Sequence, residues 1–144
     1  MPGQGWARSS PDEAARRSIY VHVKRSLLVP ILSQYDMADT DSSCAARFTT
    51  TVPTQALGML NGEFSNEQAV QFAERLEREA PSDLKAQIIR GIRLTTSRQP
   101  TDHEIKQDVA FVQKLQGQQG MNAQKALVQY CLLLLNANEF VYLD

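Results

Sequence analysis

The stretch Asn122-Ala123-Gln124-Lys125-Ala126-Leu127-Val128-Gln129-Tyr130-Cys131-Leu132-Leu133-Leu134-Leu135 decides the fold class. Asn122 is a helix-capping residue type. Behind it Ala126, Leu127, Tyr130, Cys131, Leu134 and Leu135 recur at helical spacing, which predicts a helix burying one face. The same logic works upstream. Thr101 and Glu104 have the spacing of a capping box and precede Ile105, Val109, Val112 and Leu115, with Phe111 alongside. Leu84, Ile88, Ile92 and Thr95 stack at intervals of about four residues, with Ser82 as the expected cap.

Further towards the N-terminus, Ser65 and Gln68 are expected to start a helix with Ala69, Val70, Phe72, Ala73 and Leu76 inward, ended by Pro81. Pro53 opens a shorter one through Leu60, closed by Asn61-Gly62. Residues 35–52 read as a long loop, and Gln116–Met121 as a short one. Ser10-Pro11-Asp12-Glu13 is a helix start. Between Ile19 and Leu28 the periods of strand and helix compete; a helix is preferred, interrupted by Pro30. The expected fold is all-α, an irregular bundle of about five to six helices. Residues 1–15 are read as a poorly ordered extension with a helix start, and 16–144 as one helical domain.

The 144 residues carry 15 Lys and Arg against 16 Asp and Glu, a net charge of -1. The halves are matched, with 6 basic and 7 acidic residues over 1–72 and 9 of each over 73–144. Such balance argues against nucleic acid or an anionic membrane as the main partner. The leucine run Leu132–Leu135 is far below a membrane span, and Met1–Ser10 has no apolar core of a signal peptide.

Candidate chemistry concentrates near the long loop. Arg8, Arg16, Arg17, Lys24 and Arg25 precede Asp36, Asp39 and Asp41. A calcium loop begun at Asp39 would need Gly where Cys44 stands and Glu where Thr50 stands, so an acidic loop paired with arginines is expected instead. Arg47 lies three residues after Cys44 and would favour a thiolate there. Neither His22 nor His103 is linked to that cysteine as a base, so a structural cysteine is expected. Cys44 and Cys131 form no metal-binding spacing; one disulfide between them is arithmetically possible. At the C-terminus Asn136 and Asn138 are expected to turn the chain, so that Phe140 and Tyr142 fold back on the core.

Several segments in order carry a resemblance: Arg16-Arg17-Ser18-Ile19-Tyr20, Tyr35-Asp36, Cys44-Ala45-Ala46-Arg47, Thr51-Val52-Pro53-Thr54-Gln55-Ala56-Leu57 with Leu60-Asn61, Arg98-Gln99-Pro100-Thr101, and the closing Leu135–Asp144. Together they resemble the planctomycete-specific domain of unknown function 1553, from Arg16 to Asp144, over what looks like the C-terminal part of that domain. Val52-Pro53-Thr54 departs mildly from the family pattern.

The resemblance implies a large exported protein, at the periplasm or cell surface, often with a cytochrome-c-like domain upstream. It implies no catalytic residue. Without a haem motif, an export signal or an upstream domain, the chain reads as a fragment, and no cofactor or metal is expected.

Two function classes follow. The first is a non-catalytic helical module that packs against an upstream domain or another protein. The second is part of an enzyme, redox- or polysaccharide-linked, completed by sequence outside this chain. Arg16, Arg17, Asp36, Cys44 and Arg47 form the candidate cluster under either, and the non-enzymatic class is favoured.

Overall fold

In the computed structural model the chain is described at residues 9–14, 16–23, 29, 32–33, 35, 37–38 and 53–142. It divides into two compact units, Met1–Thr50 and Thr51–Asp144. The division falls within the stretch, 16–144, that the sequence presents as one domain. The described residues are predominantly helical, with no strand among them, and the fold is all-α.

In the first unit, helix α1 (Pro11–Ala14) starts as its sequence requires. The Ser10 amide donates to Glu13 Oε2 at 3.0 Å, and the Glu13 amide donates to Ser10 Oγ at 3.3 Å. The bond from the Ser10 amide holds the Glu13 carboxyl below its usual range. The helix preferred from Ile19 onwards does not form at its described start. Ser18–Tyr20 make one 3-10 turn, and Val21 is extended. Ile19, Val21 and Val23 are β-branched and stiff in a helix, and Ile19, 82% exposed, has no core to repay its ordering. The rest of that expected helix, Pro30 and most of the 35–52 loop lie outside the described residues.

The second unit consists of α2 (Pro53–Asn61), α3 (Glu63–Glu79), α4 (Leu84–Thr96), α5 (Asp102–Gln119), α6 (Ala123–Leu135) and α7 (Asn138–Val141). Helix α3 begins two residues before the expected Ser65. Gly62 is its N-cap, and the Asn66 side chain donates to the carbonyls of Gly62 and Leu60 at 2.9 and 3.2 Å, stitching α2 to α3. A Cβ on Gly62 would collide with the Gly58 carbonyl, so this tight turn needs glycine.

The cap of α4 is Asp83, not Ser82: Asp83 Oδ1 accepts from the Ala86 amide at 3.0 Å, while Ser82 takes the left-handed conformation, φ 58°. Helix α5 runs through Gln116 and Gly117 and ends at Gly120, φ 62°, so the expected loop from Gln116 is shorter. An exposed mid-helix glycine costs only about 1 kcal/mol, less than ending the helix there requires. Both Thr101–Glu104 and Asn122 cap as expected.

The core joins Ala69, Ala73 and Leu76 of α3, Ile88 and Ile92 of α4, Val112 of α5, and Ala126, Leu127, Tyr130, Cys131, Leu132 and Leu134 of α6. Helix α6 packs most extensively on α3. Val70, in the expected stripe of α3, is instead on the exposed side. Phe140 and Tyr142 do not fold back: they are 44% and 55% exposed, because α7 is a helical turn that points them outwards.

Tyr130 is fully buried, and its hydroxyl donates to Asp108 Oδ2 at 2.7 Å, tying α6 to α5. Burial first, and then this carboxylate, raise the phenol pKa. Gln87, also buried, donates from Nε2 to the Ala80 carbonyl at 2.9 Å and so closes the end of α3.

Gly91 sits where α4 meets α6 and α3. A Cβ there would lie 2.9 Å from Leu134 Cδ1 and 3.4 Å from Leu76 Cδ1. In Gly91→Ala the helix-propensity gain of about 1 kcal/mol offsets a shift of the Leu134 tip, leaving stability within about 1 kcal/mol of wild type. Gly91→Leu should lose about 1–3 kcal/mol by overpacking. Urea midpoints of the two variants check this; equal midpoints would show that the approach is not tight.

Candidate functional site

A concave apolar surface lies within the second unit, and follows from the composition of α6. That helix is apolar on more than one face. Tyr130, Cys131 and Leu134 turn to the core, while Leu133, 48% exposed, turns away from it. Helix α2 and the second half of α5 flank this outer side and leave a groove of about 530 Å³. Ala56 and Leu60 come from α2, Phe111 and Leu115 from α5, and Leu132, Leu133 and Met121 complete the apolar surface. Gln129, Asn136 and Ala137 line it as well. The Asn136 side chain donates to the Leu132 carbonyl at 2.7 Å, which closes α6 and fixes that end of the groove. Phe111, which the sequence placed beside the stripe of α5, is a groove residue.

Beyond that end stands an ionic cluster that sequence spacing does not reveal. Arg98 follows the left-handed Ser97 that ends α4. Its Nη2 and Nη1 donate to the two carboxylate oxygens of Glu104 at 2.6 and 3.1 Å. Its Nε and Nη2 donate to Glu139 of α7 at 3.0 and 3.2 Å. Glu104 also accepts from the Thr101 amide at 2.7 Å and from the Thr101 hydroxyl at 2.8 Å. Arg98 first, and then Thr101, hold the Glu104 carboxyl down at about 2. The two carboxylates in turn raise the Arg98 pKa, Glu104 contributing most. A second bridge, Arg75 and Arg90 on Glu79 at 2.8 and 2.6 Å, links α3 to α4 and lowers the Glu79 pKa.

Of the candidate cluster, Arg16 and Arg17 are exposed beside the 3-10 turn; Asp36, Cys44 and Arg47 lie outside the described residues, as do Asp39 and Asp41. Cys131 is a free, buried thiol whose pKa burial pushes up to about 12, so it is protonated and weakly nucleophilic at neutral pH. Among the described residues no group of His, Cys, Asp and Glu has the arrangement of a metal site, and no helix is long and apolar enough to cross a membrane.

Glu104 makes stability depend on acid. Its folded pKa is depressed from 4.5 to about 2, so its contribution is complete above about pH 4.5 and is lost as pH falls towards 2. Denaturation midpoints of wild type should fall through this window, and those of Glu104→Gln should fall less. Parallel pH profiles would contradict the pairing.

No curated protein and no solved structure matches the chain. A family model described as a protein of unknown function (DUF1553) matches residues 1–112, which takes in the first unit, α2 to α4 and the first part of α5. The chain therefore belongs to the DUF1553 family of proteins of unknown function.

Proposed function

We propose that this chain is a non-catalytic helical module of a larger protein, and that the groove between α2, α5 and α6 is the surface on which an upstream domain or another protein docks. The observation that supports this reading is the groove itself. Its volume of about 530 Å³ is bordered by side chains left open to solvent at Leu60, Phe111 and Leu133. Contiguous apolar surface of this kind characterises interaction sites, whereas single exposed leucines do not. The chemistry next to it supports a structural role too. Arg98 is already engaged by two carboxylates, and Cys131 is buried and protonated. Export, a planctomycete setting and fragment status belong to the same proposal, and rest on the sequence resemblance.

A photo-crosslinking residue at Leu133, compared with one at the exposed Lys106 of α5, tests the groove in the producing cell. The expected result is a protein adduct confined to the Leu133 position and lost when Leu60→Glu is added. Equal labelling at the two positions, or none at Leu133, would refute docking there. Leu60→Glu itself, at an exposed site, should change stability by no more than about 0.5 kcal/mol.

The cluster Arg16, Arg17, Asp36, Cys44 and Arg47 is proposed as structural, with the arginines tethering the acidic loop. A planar guanidinium binds a carboxylate through two parallel bonds, which suits a loop with few apolar anchors. Chemical denaturation of a double-mutant cycle of Arg17→Ala and Asp36→Ala should show coupling above about 0.5 kcal/mol; additive effects would free these residues for a ligand.

A further inference from the structure

We infer that α7 is a releasable strap, held by Glu139 on Arg98, at the Asn136–Ala137 end of the docking groove. The inference rests on the docking reading for its purpose, though not for its physics. A helix of one turn does not hold its own shape, because nucleation fixes several residues for each bond gained. The amides of Phe140 and Val141 donate to the Ala137 carbonyl at 2.9 and 3.0 Å, and that of Tyr142 to Asn138 at 2.9 Å. Phe140 and Tyr142 stay 44% and 55% exposed, Val141 is half-buried, and none of the three joins the core cluster. Beside its packing against α4 and α6, α7 is tied across the fold by the Glu139 carboxylate on the Arg98 guanidinium, at 3.0 and 3.2 Å.

The cluster is asymmetric in a way that suits release. The Glu139 side chain is 56% exposed and can be taken up by water. Arg98 keeps its bidentate pair with Glu104, which the capping box fixes at the start of α5. Opening therefore strands no charge and leaves α5 in place. Ala137 is both a groove wall and the N-cap of α7, and its amide donates to the Leu134 carbonyl at 3.2 Å, so the strap hinges where the groove ends.

Hydrogen exchange on the whole chain tests the strap without any partner. In Glu139→Gln the amides of Phe140, Val141 and Tyr142 should exchange about two- to fivefold faster, as expected for loss of one exposed ion pair. The Ile105 amide, bonded to the Thr101 carbonyl at 3.1 Å, should be unchanged. Added salt should speed the same three amides in wild type and have little effect in the variant. Unchanged exchange in Glu139→Gln, or equal acceleration at Ile105, would overturn the proposal. Failure here with groove-specific crosslinking intact would remove the strap and leave docking standing; the reverse pattern would remove docking alone.

Discussion

The seating of α6 against α3 and α4 is the contact on which the rest of the second unit depends. Ala69 and Ala73 of α3, Gly91 of α4 and Ala126 of α6 are small where the helices meet, so that backbones approach and Leu76, Ile88 and Leu134 interlock. Tyr130 fills the middle of that contact and brings a hydroxyl with it. A buried hydroxyl without a partner would cost roughly 1–3 kcal/mol, and Asp108 supplies the partner. Packing of α6 thereby also sets where α5 lies.

Magnitudes rank the remaining contacts. Each buried leucine or isoleucine of the core contributes about 1.5–3 kcal/mol, and exposed ion pairs in general far less. The bridges on Glu79 and the Arg98 cluster therefore position helix ends on a bundle already made by apolar burial. Their value lies in placement. Arg98 joins the end of α4, the first turn of α5 and the C-terminal turn α7.

The groove has the same origin as the core. A helix that is apolar on more than one face needs cover on more than one side. Helices α3 and α4 cover one side of α6, and α2 with the end of α5 covers the other incompletely. A single stretch of sequence thus yields both buried core side chains and the partly open apolar side that lines the groove.

Particular residues mark how much was legible in the sequence. Helix starts at Ser10, Thr101 and Asn122 were readable because a cap is a bond between residues three apart, and the stripes of α4 and α6 because periodicity is equally local. Family membership was readable from ordered short segments; the family model matches residues 1–112, which leaves the closing Leu135–Asp144 segment outside the match. Local signals misled where two candidates competed: Ser82 against Asp83 for a cap, and Gly117 against Gly120 for a helix end. The groove and the Arg98 cluster were not legible. Leu132 and Leu133 are identical neighbours in sequence, yet one is buried and the other half open, because only the placement of α2 and α5 distinguishes their sides. Glu139 stands 41 residues from Arg98, a pairing that no periodicity encodes. The sequence by itself determined that α2 to α6 are helical and that they must bury apolar faces. Tertiary structure alone decided which apolar side chains stay uncovered and which charges meet, since both depend on helices brought together from distant parts of the chain.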